Sequence, residues 1–356
     1  MTTLDTECGF LYKRVEHQLR TWISEGYYRP GDRLPSIREL SAKLSVNYLT
    51  VRQALARLSA EGLVSTSQGR GTFVEHPTAG AKTVALVVPH LGSPLSDMVS
   101  QGICSVLDEH QIESVILNSH DSVNAEARNL RQIARRNLGG AIVFSTMGLP
   151  TTLAILKMVV EGRPVVLVDR FFEDVPTWHV RADNIQGGYL ATRHLLDIGR
   201  RRIGFVSDLT NSTTRHRLEG YRRALASAGV VFDEKLVGAV PVATNDTFGT
   251  TRQLLAQTPR PDAIFYGNDF RAMEGMQAIK AAGLRIPEDI AIVGFDDLPT
   301  SRLTDPPLTT IRQDGFQLGK IAAELFLEQL AIAPSERALH PKWRIVPVEL
   351  IRRNSA

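Results

Sequence analysis

The sequence predicts an α/β protein in which a small, largely helical N-terminal domain precedes two lobes, each built on a parallel, doubly wound sheet. Three observations support this. The chain has 356 residues, more than a single hydrophobic core usually serves. Its first 75 residues have the periodicity of short amphipathic helices, whereas from Thr83 onward short apolar runs alternate with helical stretches. That alternation comes in two successive sets, which indicates two lobes.

The composition is ordinary for a globular chain, with 43% hydrophobic and 22% charged residues and a net charge of +3. Cys8 and Cys104 have no pairing pattern, so we expect reduced thiols. The N-terminus lacks the apolar segment of a secretory signal, and no apolar run is long enough to span a membrane. We therefore expect a cytoplasmic protein.

Residues 1–75 are predicted to hold three helices and a hairpin. Apolar residues within residues 10–26 recur on one helical face. Ser36 and Glu39 have the spacing of a capping box that starts a second helix. After a tight turn, Asn47 is suited to cap a third helix. The hairpin follows, with Ser67–Gly71 at its tip.

This order of elements is typical of a winged helix-turn-helix, which places its third helix in the major groove of DNA. Tyr48, Thr50 and Arg52 are on that helix, outside its apolar face, and can reach bases or phosphates. At the hairpin tip, glycines allow close approach to the duplex and Arg70 supplies charge. The alternative is a small helical domain with surface arginines, because the basic excess in this region is weak.

The segment 11–74 resembles the DNA-binding domain of GntR-type bacterial regulators. The matching motifs are Pro30–Ser36, Arg38–Leu40, Thr50–Leu55, Glu61–Leu63 and Gly69–Val74. The resemblance implies that Arg38 and Arg52 contact DNA, that Thr50 is at the groove, and that the tip with Gln68, Gly69, Arg70 and Gly71 is the wing. Asn47-Tyr48 departs from the Ser-Arg that many relatives carry, so we expect a distinct DNA preference.

After a linker at 76–82, residues 83–356 show the repeated α/β pattern. The predicted strands are at 83–89, 112–119, 139–145, 164–170, 201–208, 236–240, 262–269 and 289–297. The predicted helices are near 96–110, 125–137, 150–161, 184–198, 214–228, 247–257 and 270–282. Continuous β-rich apolar strands that alternate with helices indicate buried parallel sheets.

Ligands of open α/β sheets bind beyond the carboxyl ends of the strands. The residues predicted there are mostly carboxylates, amides and hydroxyls, with one arginine beside aromatic rings: His90, Ser93, Asp121, Ser145, Thr146, Asp169, Arg170, Phe171, Asp208, Asn268, Asp269, Asp296 and Asp297. This mixture suits a polyhydroxylated ligand, which takes bidentate hydrogen bonds and stacks on rings. Each aspartate alone is as well explained as a helix cap or turn residue.

Residues 83–353 resemble the effector-binding domain of LacI-type regulators, which is related to periplasmic sugar-binding proteins. The matching motifs are Ala182-Asp183-Asn184, His194–Leu196, Arg202–Phe205, Arg215–Tyr221, Gly267–Asp269, Ala291–Asp297 and Pro306–Ile311. The resemblance implies ligand contacts from Asp169, Arg217, Asn268 and Asp296, with Ser93, Leu95 and Phe270 as weaker candidates. Arg170 joins this predicted ligand-binding set.

The same resemblance implies that the chain crosses between the lobes three times, near 181–184, 298–309 and 335–343. The expected lobes are about 83–182 plus 308–335, and 183–300 plus 340–356, and the C-terminal strand beginning at Trp343 is expected in the second lobe. The linker contains Pro77 and Gly80, so the minor-groove hinge helix usual in LacI-type proteins is not expected there.

The combination of domains resembles the arabinose-responsive repressors of some bacteria. It implies a homodimer on a palindromic operator, released by a small effector, with a sugar favoured. The alternative is a co-repressor-dependent regulator of nucleoside or purine metabolism. An enzyme is disfavoured, because hydrolase, metalloprotease, phosphate-loop and dinucleotide motifs are missing from the sequence. An architectural DNA binder without a ligand remains a further alternative. We predict no catalytic residue, metal or cofactor.

Overall fold

A computed structural model describes residues 5–29, 31–60, 63–67, 70–74, 83–136 and 138–356. The predictions made for Gln68, Gly69 and the linker lie outside these residues. In chain order the elements are α1 (Asp5–Ser24), α2 (Ile37–Leu44), α3 (Tyr48–Ala60), β1 (Val64–Ser67), β2 (Gly71–Val74), β3 (Thr83–Val88), α4 (Pro94–Glu109), β4 (Glu113–Asn118), α5 (Val123–Arg135), β5 (Ala141–Val143), α6 (Leu149–Val160), β6 (Val165–Val168), β7 (Trp178–Ala182), α7 (Asn184–Asp197), β8 (Ile203–Ser207), α8 (Ser212–Ser227), β9 (Val237–Ala239), α9 (Thr247–Leu255), β10 (Ala263–Tyr266), α10 (Asp269–Ala281), β11 (Ala291–Asp296), β12 (Thr309–Gln313), α11 (Gly315–Leu330), β13 (Trp343–Val346) and β14 (Val348–Ile351). Short 3-10 helices lie at Glu234–Leu236 and Pro299–Arg302.

The N-terminal domain has the predicted arrangement of three helices and an antiparallel hairpin. Its start signal at α2 forms as expected, since the Glu39 N–H donates to Ser36 Oγ at 3.3 Å and the Ser36 N–H donates to Glu39 Oε2 at 2.7 Å. The core of the domain gathers apolar side chains from all three helices and the hairpin, among them Leu19, Leu40 and Leu58, which are 0% exposed. The described helices and hairpin confirm a winged helix-turn-helix.

Residues 83–356 form two lobes, each with a six-stranded sheet. The first sheet has the order β13-β7-β6-β5-β3-β4 with all neighbours parallel. The second has the order β14-β12-β11-β10-β8-β9, parallel except for the β12–β14 pair. Helices cover both faces, α4 and α11 on one face of the first sheet and α5 and α6 on the other. The α/β prediction with two parallel-rich sheets is confirmed.

Two of the three predicted crossings between lobes are wrong. The first is near 183, as expected, but the second is at Asp314, because β12 belongs to the second sheet and α11 packs on the first lobe. The third is at Pro347, because β13 joins the first sheet and β14 the second. The C-terminal segment therefore supplies one strand to each lobe. Residues 308–313, which were predicted in the first lobe, belong to the second, and residues 340–346, which were predicted in the second lobe, belong to the first.

Within the residues described, no helix combines the length and apolar character that crossing a membrane requires.

Candidate DNA-binding surface and ligand cleft

The third helix presents an apolar face to its own domain and a polar face to solvent. Val51, Leu55 and Leu58 are buried, at the i, i+4, i+7 spacing that predicted them. Tyr48, in the first turn of the helix, is 47% exposed, and Arg52 is exposed. Arg52 has no ion pair or hydrogen bond among the described residues, and the same holds for the exposed Arg38 on α2. Exposed guanidinium groups without a partner are available for contact with phosphates.

Thr50 corrects the prediction that its side chain is at the groove. It is 2% exposed, and its Oγ1 donates to Asn47 Oδ1 at 3.1 Å. Its backbone N–H donates to the same oxygen at 2.9 Å, so Asn47 caps the helix as predicted. Thr50 therefore fixes the start of the recognition helix from inside. Asn47 is exposed, its Oδ1 is the atom that caps the helix, and its role in DNA binding stays a prediction.

At the wing, Arg70 is exposed, as predicted for a phosphate contact. Gly71 has φ +113, and a Cβ there would lie 2.6 Å from Nε of Arg33. The glycine thus allows the Arg33 side chain to pass beside the hairpin. Arg33 also forms an isolated bridge with Phe73. Sequence reasoning missed this exposed arginine, which lies inside the matched Pro30–Ser36 motif.

The carboxyl ends of the strands in the two sheets face each other. The reason is that each of the three crossings between the lobes begins at the carboxyl end of a strand, namely β7, β12 or β13. Arg217 of α8 is 4% exposed there. Its Nε donates to Asn184 Oδ1 at 2.8 Å, its Nη1 donates to the Gly267 carbonyl at 2.5 Å, and its guanidinium lies 3.5 Å from the Phe295 ring centroid. Asp296 is 7% exposed, with Oδ1 3.7 Å from Arg217 Nη1.

Asp169 approaches the cleft from the first lobe and is 4% exposed, with φ +67. Neighbouring Arg170 donates from Nη1 to the Ser145 carbonyl at 3.0 Å, and its Nε is 3.7 Å from Asp169 Oδ2. Burial raises the pKa of Asp169, opposed by the charges of Arg170 and Arg217. Burial also raises the pKa of Asp296 to about 8, opposed by Arg217. Two carboxyl groups and two guanidinium groups thus meet where water is largely excluded.

Several buried polar atoms at this edge have no hydrogen-bond partner within the described structure. They are Thr146 Oγ1, Asp169 Oδ1, Arg170 Nε, Ser207 Oγ, Arg271 Nε and Gln313 Oε1. Gln313 also donates from Nε2 to Asp296 Oδ1 at 2.6 Å. Buried polar atoms are nearly always paired, so a run of unpaired ones along one cleft indicates groups that a ligand or water satisfies. Sequence reasoning missed Gln313 because its strand was not predicted.

The remaining predicted ligand residues are at the same edge with weaker support. Asn268 caps α10, its Oδ1 accepting the Arg271 N–H at 2.9 Å, so its amide nitrogen is the group left for a ligand. Phe270 is 48% exposed. Ser93 precedes α4 without capping it, and Leu95 packs partly on the first lobe's core. Ligand contact by these four residues stays a prediction.

Three strand-end residues serve the fold instead. The Phe171 ring is stacked on the His179 ring, with 4.4 Å between the ring centroids. The face of Phe171 that contacts His179 is therefore not available to stack on a sugar, contrary to the prediction. Asp269 accepts hydrogen bonds from Ser301 Oγ and Thr310 Oγ1 at 2.6 and 2.5 Å. Asp297 pairs with Arg312 at 2.8 Å and with Arg353, whereas Asp296 contacts Arg217 and Gln313, so the two neighbouring carboxylates have separate partners.

Comparison with known proteins agrees with both domains. Residues 11–74 match the model "Bacterial regulatory proteins, gntR family", and residues 192–356 match "Periplasmic binding protein-like domain". An arabinose metabolism transcriptional repressor of Geobacillus stearothermophilus is 29% identical over 97% of each chain. A ribose operon repressor of Haemophilus influenzae is 30% identical over 70% of this chain and 74% of its own. The chain belongs to the LacI-type transcriptional repressors.

Solved structures of this family have the same fold. A LacI family regulator from Enterococcus faecium with bound ribose is 26% identical, covers 77% of this chain and 98% of its own, and has a TM-score of 0.64. A complex of the regulator CelR with cellobiose covers 91% of this chain and all of its own at a TM-score of 0.69, with 24% identity. The matched families are transcriptional regulators and not enzymes, and the GntR-type winged domain replaces the DNA-binding domain usual for LacI-type proteins.

Proposed function

We propose that this repressor binds a palindromic operator as a homodimer in the cytoplasm, and that a small sugar in the cleft releases it. The observation that carries the proposal is the joining of two surfaces in one chain. One is a winged domain with free exposed arginines. The other is a cleft in which buried carboxylate, guanidinium, amide and hydroxyl groups each have an atom without a hydrogen-bond partner in the described structure. A regulator needs both a DNA contact and a ligand that biases it.

A sugar suits the chemistry of the cleft. Its hydroxyl groups donate to carboxylates and accept from guanidinium groups, which the unpaired Asp169 Oδ1 and Arg170 Nε offer. The chain also aligns nearly end to end with a relative named for arabinose metabolism. Together these features favour a monosaccharide, with a pentose first.

A purine co-repressor is the second candidate, since relatives named PurR align over about the same effector domain. A nucleobase is bound largely by aromatic stacking. The Phe171 ring is already stacked on His179, which leaves Phe270 as the exposed ring at this edge. The cleft's unpaired groups are polar rather than aromatic, so we rank the purine below the sugar.

A ligand-binding panel tests the effector. Arabinose, ribose, xylose, hypoxanthine and guanine are compared by thermal shift. A true effector at a hundredfold excess over its Kd stabilises the native state by about 2.7 kcal/mol. We expect a shift with a pentose, and a loss of that shift in Asp296→Asn but not in the exposed lobe control Glu288→Ala. A shift with a purine alone would favour the second candidate.

Operator selection from random DNA tests the DNA-binding surface. We expect Arg52→Ala to bind the selected operator at least tenfold more weakly, because the variant lacks a charged group that reaches phosphate or base. Ligand binding should persist. Lys13→Ala, which removes a charge from the exposed face of α1, is the control. Normal operator binding by Arg52→Ala would show that α3 is not the recognition helix.

The proposed homodimer is tested separately by analytical sedimentation of the wild-type protein.

A further inference from the structure

The first lobe carries a row of unpaired arginines on α5. Arg128, Arg131 and Arg135 are all exposed, and Arg136 follows directly after the helix. Their spacing places the first three on one face. That face is opposite the buried side chains Ala127, Leu130 and Ile133, which pack on the sheet.

Other exposed arginines on the surface helices have an acid one turn away. Arg193 pairs with Asp197 at 2.9 Å, and Arg223 pairs with Glu219 at 2.7 Å. On α5 the acidic residue is Glu126, which is 0% exposed and accepts from Ser145 Oγ at 2.7 Å. Within the described structure the four arginines form no ion pair or hydrogen bond through their side chains. A helix face of this kind attracts anions without internal competition.

The basic end of α5 lies at the edge of the first lobe where the chain enters from the winged domain. The helix returns antiparallel to β3 and β4, so its last turn is near the amino ends of the strands. There the Gly139 N–H donates to the Thr83 carbonyl at 2.9 Å, and Thr83 is where the linker enters the lobe. Nine peptide steps separate Thr83 from Val74 at the end of the wing hairpin, and they span at most about 30 Å. The end of the wing hairpin is therefore within about 30 Å of the strand edge at which the basic end of α5 lies.

We propose that Arg128, Arg131, Arg135 and Arg136 form a second, sequence-independent DNA contact that binds phosphates next to the operator. A duplex presents one negative charge per about 1.7 Å of axis, so a row of arginines along a helix meets several phosphates. The contact adds affinity and salt dependence without adding base specificity. It rests on the proposed operator binding but involves other residues.

The test uses the full-length triple variant Arg128→Gln, Arg131→Gln, Arg135→Gln. Glutamine is nearly as good a helix former as arginine, and all three positions are exposed, so the fold should persist. The matched control removes three exposed arginines from the second lobe, Arg252→Gln, Arg260→Gln, Arg352→Gln. Affinities are measured by fluorescence anisotropy at several salt concentrations. The probes are the selected operator alone and the operator extended by one helical turn, about 10 base pairs, on each side.

We expect the wild type and the control to bind the extended duplex more tightly than the short one, and the α5 variant to lose that gain. The slope of log affinity against log salt should fall by up to about 0.9 for each phosphate that the variant no longer neutralises. Equal slopes and equal gains for the variant and wild type would overturn the inference, while a wild type that binds no duplex would overturn the proposed function. A changed sedimentation coefficient in the variant would also overturn the inference, because the arginines would then act through assembly.

Discussion

His179 is the residue whose surroundings most directly predict a measurable property. Its ring is stacked between Phe171, at 4.4 Å and 3° between the planes, and Trp343, at 6.3 Å. Burial lowers its pKa to about 4, and the nearby charges of Arg181 and His216 act in the same direction. The folded protein therefore keeps this imidazole neutral at pH values where the unfolded chain protonates it.

Stability should fall as the pH drops from about 6.5 toward 4, because over that range the unfolded chain binds one more proton at this site than the native state. His179→Phe keeps an aromatic ring in the stack and removes the proton. We expect its urea unfolding free energy to decline less steeply than that of the wild type, by at most about 1.4 kcal/mol per pH unit. Parallel profiles for the two proteins would contradict this account, and above pH 7 the difference between their unfolding free energies should no longer depend on pH.

At the scale of elements, each lobe has one pair of helices that touch through glycines. In the second lobe, a Cβ on Gly188 of α7 would lie 2.1 Å from the Arg217 carbonyl oxygen, and one on Gly220 of α8 would lie 2.0 Å from that of Ile185. In the first lobe, Gly102 of α4 and Gly319 of α11 stand in the same relation to Phe316 and Val99. These glycines hold the helices close enough for α8 to carry Arg217 into the cleft.

Gly188→Ala should force α8 away from α7 and displace Arg217 with it. We expect a loss of stability of about 1–3 kcal/mol, typical of overpacking, together with weakened effector binding. Urea denaturation and calorimetric titration measure the two effects. Gln186→Ala, on the exposed side of α7, is the control and should change neither. If Gly188→Ala lost stability but bound the ligand with wild-type affinity, the contact between α7 and α8 would not control the position of Arg217 in the cleft, contrary to this prediction.

The elements that sequence reasoning found are those with continuous apolar runs, such as β3 and β11. It missed β7 and β12, whose polar residues are buried through specific partners that no periodicity reveals. Thr310 of β12 donates to Asp269, and Thr309 accepts from the Arg353 N–H at 2.9 Å. Because β12 was missed and the C-terminal segment was predicted as one strand instead of β13 and β14, the crossings at Asp314 and Pro347 could not be placed.

The cleft residues show the same limit. Asp169 and Asp296, which follow apolar strands, and Arg217, which belongs to the family motif, do come together in the cleft, and their contact with a ligand stays a prediction. Phe171 was wrongly expected to face the ligand, because its stacking partner His179 is on the missed strand β7. Thr50 was expected at the groove from its position at the helix start, but helical rotation turns it inward onto Asn47. Both predictions failed because of a neighbouring side chain that the sequence pattern did not reveal, His179 for Phe171 and Asn47 for Thr50.

At the scale of the whole molecule, the lobes are joined by three chain crossings and by contacts beside the cleft. The Phe171 N–H of the first lobe donates to Ser212 Oγ of the second at 3.1 Å, and Glu173 pairs with Arg215 at 3.5 Å. An effector that closes the cleft binds to the arrangement of the lobes in which these contacts are made. Its apparent affinity then depends on how often the unliganded protein already adopts that arrangement.

Glu173→Arg should therefore weaken effector binding by replacing an attraction between lobes with a repulsion. An exposed ion pair contributes about 0.2–1 kcal/mol, so the expected change in Kd is at most about fivefold. The double exchange Glu173→Arg, Arg215→Glu restores the attraction with the charges reversed and should restore the affinity, measured by calorimetry at low salt. Both residues are distant in the chain from the winged domain's Arg52, so operator affinity without effector should change little. Weak binding that persists in the double exchange would show that Glu173 acts on the ligand or its loop and does not act through the lobes.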